Sequence, residues 1–87
     1  MFVIEDESHA EWQGKFPTRS EAFEELKRRA ALPWNERPNV APCKSWRTCG
    51  RRYDIVEYDT STTPWKLIGR ERILEVSATE VKWVAQA

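Results

Sequence analysis

Apolar and polar positions alternate over Glu11-Trp12-Gln13-Gly14-Lys15-Phe16, with Trp12, Gly14 and Phe16 on one side and Glu11, Gln13 and Lys15 on the other. A period of two marks a half-buried strand. Phe2-Val3-Ile4 is an earlier apolar run, and the acidic residues with Ser8-His9 read as a turn, so the chain opens with an antiparallel hairpin. The period then changes. Ala22, Phe23, Leu26 and Ala30 form the stripe of an amphipathic helix. Thr18 stands at its N-cap position with Glu21 three residues on, the spacing of a capping box. Pro33 disfavours helical geometry at Leu32, so the helix is expected over about residues 19–31. Glu24 with Arg28, and Glu25 with Arg29, are expected as i,i+4 pairs on its wet side.

Residues 33–50 show neither period. Pro33, Pro38, Pro42 and Gly50 punctuate them, while Trp34, Val40, Cys43 and Trp46 give them apolar anchors, which predicts a long ordered loop. Strand character returns at Arg51–Asp59, with Tyr53 and Ile55 on one face and Val56 and Tyr58 on the other. Apolar residues on both faces indicate an inner strand. Thr60 to Pro64 is a turn. Residues 65–76 read as a long strand of mixed parity, with Gly69 at a bulge or bend. Val81 and Trp83 belong to a last short strand. The order ββ-α-loop-βββ predicts one α+β domain over residues 1–87, an antiparallel sheet of four to five strands with the helix on one face.

Composition adds constraint rather than identity. A chain of 87 residues that is 40% hydrophobic and 32% charged suits one globular domain, and its five Trp supply large buried area from few residues. Its start lacks the basic and apolar regions of a secretion signal, and no apolar run is long enough for a membrane span. A cytoplasmic protein with reduced cysteines and no membrane partner is therefore expected. The formal net charge is zero, but unevenly built. Residues 1–26 hold two cations and seven anions, residues 27–52 eight cations and one anion, and residues 53–87 four cations and six anions. A basic middle between acidic ends fits either internal pairing or a face for an anionic partner.

The basic middle contains both cysteines. Cys43 and Cys49 have a C-x5-C spacing, and His9 is the only histidine. A structural zinc site needs four ligands, so a metal at Cys43 and Cys49 would require a second copy of the chain to complete it. A disulfide or an activated thiol is a further reading, and burial as small hydrophobes is the plain one. No nucleophile, base and orienting group appear together, and no cofactor motif is present. What remains is a surface. Lys44, Trp46, Arg47, Arg51 and Arg52 interleave cations with an aromatic, and Trp34 precedes them. Trp and Arg dominate interface energetics, so the expected role is a non-catalytic binding module that takes a protein partner through Trp34, Lys44, Trp46, Arg47, Arg51 and Arg52. A nucleic-acid-binding module is the alternative, and a small enzyme or thiol-redox protein stands behind it. A homo-oligomer is compatible with either binding role. The opposing idea is that these cations pair with Glu5, Asp6, Glu7 and Glu11 across the sheet. The segments EWQGKFPTRSEAFEELKRRA and PWNERPNVAPCKSWRTCGRRYDIVEYD resemble a group of small conserved bacterial proteins without an assigned activity. That resemblance implies a bacterial cytoplasmic protein and brings no cofactor or site.

Overall fold

In the computed structural model, which describes residues 1–8, 10–40 and 50–85, strands Phe2–Asp6 (β1) and Glu11–Phe16 (β2) form the opening hairpin. Helix α1 follows at Arg19–Ala30, then β3 (Gly50–Asp59), β4 (Lys66–Ser77) and β5 (Val81–Trp83). All neighbours are antiparallel, and the strand order is β2-β1-β3-β4-β5. The fold is α+β, with five strands and one helix among the described residues, as the pattern predicts. β3 is central in that order, which accounts for its apolar residues on both faces.

The helix begins where the capping box places it. Thr18 is extended, and its hydroxyl accepts from the Glu21 amide at 3.2 Å and donates to the Glu21 carboxylate at 3.1 Å. Ala22, Phe23 and Leu26 are buried against Ile4, Tyr53, Ile55, Ile73, Leu74 and Val76, and these residues form the core between helix and sheet. Trp83 of β5 stacks on Phe23 at 5.5 Å.

Three strand irregularities change the faces that simple alternation assigns. In β2, Gln13 is an extra residue, because Ile4 pairs with Gly14 and Glu5 with Trp12. Gly14 has φ +151°, a conformation that side chains rarely adopt. The bulge separates Trp12 from Phe16: Phe16 packs on the core, while Trp12 turns to the sheet face that bears no helix. The expectation that Trp12, Gly14 and Phe16 share a face is corrected by this extra residue. In β4, Ile68 and Ile73 are the extra residues, since Glu57 pairs with Gly69 and Tyr58 with Leu67, and Tyr53 with Leu74 and Asp54 with Arg72. The second bulge lets the adjacent Ile73 and Leu74 both be buried. The expected irregularity at Gly69 falls on its neighbour, Ile68.

At the helix's basic end the expected Glu25–Arg29 pair forms, whereas Glu24 and Arg28 take other partners. Arg28 pairs with Glu25, and Glu24 pairs with Lys27 instead. Arg29 does not stay on the wet side. It is buried, held by Glu25 at 2.7 Å, and donates to the Gln13 backbone carbonyl at 3.0 Å. One carbonyl released by the β2 bulge is thereby satisfied from the helix.

Candidate functional site

The structure divides the expected basic surface. Trp34 is half-buried and packs against the core, so it acts as a lid rather than a free anchor. Arg51 points inward and is 6% exposed. Its guanidinium donates to Asp6 at 2.9 Å, to Glu11 at 3.1 Å, and to the carbonyls of Asn39 at 3.3 Å and Val40 at 2.6 Å. Burial opposes its charge, but the hydrogen bonds to Asp6 and Glu11 outweigh that effect and raise its pKa. Arg51 therefore belongs to internal pairing with the acidic first strands and is not available as a surface contact. Arg52 is exposed. Cys43, Lys44, Trp46, Arg47 and Cys49 lie outside the described residues, as does His9. Among the described residues no group of His, Cys, Asp and Glu gathers to hold a metal ion.

Around Arg51 a buried polar hub ties loop, helix and sheet together. Asn39 donates to the carbonyl of Arg29 in the last turn of α1 at 2.8 Å, and to those of Leu32 at 3.2 Å and Pro33 at 3.3 Å just beyond it. Its side-chain oxygen accepts from the Tyr53 hydroxyl at 3.0 Å. Burial raises the Tyr53 pKa, against the pull of the Arg29 cation, which sits 5.1 Å over its ring. Every buried side-chain polar atom among the described residues has a partner. A satisfied network of this kind rigidifies a core.

The helix-free sheet face is different. There Trp12 of β2, Tyr58 of β3 and Trp65, just before β4, come together. Trp12 lies 5.4 Å from Tyr58 and 6.1 Å from Trp65, nearly parallel to the latter, and Tyr58 lies 6.1 Å from Trp65. The Lys15 ammonium stands over both indoles, 5.7 Å from Trp12 and 5.2 Å from Trp65. Trp12 is 50% exposed, although a large ring gains most from burial. No signal in the sequence unites these residues except the β2 bulge, whose only local marker is Gly14.

Beside the rings runs a chain of ion pairs. Arg70 bridges Glu5 at 3.1 Å and Asp54 at 3.0 Å, and Arg72 contacts Asp54, Glu7 and Glu75. Hydrogen bonding to Asp54 is the main reason that both arginines have raised pKa values. Val3 and Val56 are fully buried on this face with Lys15 and Arg70 across the ladder from them, so the aliphatic stems of the two cations lie beside the apolar pair. The face thus combines a ring cluster with an ion-pair chain in which four carboxylates meet two arginines.

On the helix side, a cleft of about 190 Å³ is lined by residues including Phe2, Arg19, Ile55, Glu57 and Glu71. Arg19 and Glu71, two of its lining residues, pair with each other at 2.6 Å. Comparison with protein-family models, curated proteins and solved structures gives no match to this chain. Among the described residues no helix is long and apolar enough to cross a membrane.

Proposed function

We propose that the chain is a non-catalytic binding module whose contact surface is the helix-free sheet face centred on Trp12, Trp65 and Tyr58. The exposed, stacked Trp12 carries this reading, since Trp and Tyr are the side chains that most often dominate an interface. A protein partner fits better than a nucleic acid. Phosphate recognition needs an excess of unneutralised cations, whereas Arg70 and Arg72 here are outnumbered by the carboxylates of Glu5, Glu7, Asp54 and Glu75, and Lys15 alone stands over the rings. A ring cluster beside a flank with more carboxylates than arginines suits an apolar segment of another protein that brings no excess negative charge. The expected basic loop surface keeps Arg52 alone as a described, outward-facing cation.

The test is affinity capture from the native host with wild-type protein, with Trp12→Ala/Trp65→Ala and with Arg52→Glu, each with and without nuclease. Loss of a defined protein partner from the Trp variant alone, unaffected by nuclease, supports the aromatic face. Retention of the partner by a folded Trp variant, or loss on nuclease treatment, refutes it.

A further inference from the structure

We propose that two copies of this chain join edge to edge through β4, antiparallel, with the two-fold axis between Ile68 and Gly69. β5 pairs only with Leu74–Val76, and the amides of Val84 and Ala85 reach back to the Ile73 carbonyl. From Lys66 to Arg72, β4 therefore has β3 on one side and no strand of the described residues on the other. An open edge is a template for another strand. Leu67 and Ile68, 56% and 58% exposed, are the most exposed of the large hydrophobic residues described, and both lie in this stretch. The opposite edge of the sheet is guarded: β2 carries the Gln13 bulge, and Arg29 already occupies the Gln13 carbonyl.

The boundaries of the open stretch select the register. Pro64 cannot donate to a ladder and stands just before Trp65, while Ile73 is where β5 takes over. A two-fold axis at the middle of residues 65–72 sets Trp65 opposite Arg72, Lys66 opposite Glu71, Leu67 opposite Arg70, and Ile68 opposite Gly69. Five residues apart on a regular strand, Lys66 and Glu71 would point to opposite faces. The extra residue at Ile68 brings them to one face: Lys66 pairs with Asp59 and Glu71 with Ile55, and these two alternate on the same side of β3.

The register is also chemically complementary. Lys66 has no partner among the described residues, and Arg19 holds only one oxygen of Glu71, so each dimer gains two Lys–Glu contacts. Leu67 meets the stem of Arg70. A Cβ placed on Gly69 would have nothing within 4 Å, which leaves room for the partner copy's Ile68. The joined sheets would carry both helices on one side and both aromatic clusters on the other. The pairing stands independently of the proposed binding partner, and its test involves no partner capture.

Sedimentation velocity over about a hundredfold range of protein concentration reads the dimer directly. Wild-type protein should associate, and Leu67→Lys/Ile68→Lys should stay monomeric with unchanged circular dichroism. Lys66→Glu and Glu71→Lys should each weaken association roughly tenfold by setting like charges opposite one another. The double exchange Lys66→Glu/Glu71→Lys should restore it. A wild-type monomer up to about 1 mM would overturn the proposal. So would a dimer indifferent to the Leu67 and Ile68 changes, or a double exchange no better than either single reversal.

Discussion

Asp6→Ala should be among the most damaging single substitutions in this chain, although it removes a carboxylate from a small protein with many. Asp6 is fully buried and accepts from the Arg51 guanidinium at 2.9 Å, the Arg52 amide at 3.1 Å and the Ser8 amide at 3.1 Å. Its loss strands a cation that is 6% exposed and retains only Glu11 as a charged partner among the contacts described. Removing one member of a buried pair typically costs about 3–5 kcal/mol, whereas an exposed pair is worth roughly 0–1 kcal/mol. A domain of this size has a total stability of about 4–13 kcal/mol, so much of it would disappear. Chemical denaturation with a fixed slope measures the difference, and a drop in melting temperature of roughly 20 °C should accompany it. A double-mutant cycle with Arg51→Met isolates the pair, with an expected coupling of about 2 kcal/mol or more. A loss below about 1 kcal/mol for Asp6→Ala would mean that water reaches the pair, and the internal role assigned to Arg51 would fail.

Leu26→Ala should cost roughly 2–5 kcal/mol by calorimetry, since Leu26 is fully buried under the helix, while Thr18→Ala should cost only about 1 kcal/mol as a lost cap. Asn39→Ala should cost about 2–3 kcal/mol in denaturant unfolding, because the Tyr53 hydroxyl and the Leu32 carbonyl lose a partner together, while the Arg29 and Pro33 carbonyls keep the Leu32 and Glu36 amides. Hydrogen bonding from Arg28, opposed by burial and aided by Arg29, holds the Glu25 pKa below its ordinary 4.5. Its contribution to stability is therefore complete above that value and is lost as pH falls through the lower, folded one. Acid unfolding of Glu25→Gln should show a shallower loss than wild type over that window, and an unchanged acid limb would contradict the assignment.

The elements were legible because each rests on local chemistry. Thr18 and Glu21 fix the helix start, Pro33 lies just beyond its end, and the alternation in Arg51–Asp59 shows that both faces of β3 are covered. The destinations of the cations were not legible. Arg29 and Arg51 look no different in sequence from Arg28 and Arg52, yet the first two are buried and the others exposed. Acceptors decide which is which. The one for Arg51 is 45 residues away in β1, and the one for Arg29 is a carbonyl on β2. Asn39 likewise carries no mark of its role, because the groups that it joins meet only after the loop folds onto the helix end.

The bulges are where local reading and fold part company, and they are also where the proposed surfaces arise. Without the extra residue at Gln13, Trp12 would follow Phe16 into the core and the helix-free face would lose its most exposed ring. Without the one at Ile68, Lys66 and Glu71 would lie on opposite faces, and a second copy could not match charge along β4. Each bulge moves side chains from the face that alternation assigns to the other one while the rest of the ladder keeps its register. A slip of a whole strand would instead expose the buried set, including Ile4 and Ile55. Single inserted residues thus leave the core in place while re-aiming the outer side chains. In this chain the inner side of the sheet holds α1, and both proposed contacts, the ring cluster and the β4 edge, depend on residues that the bulges redirect.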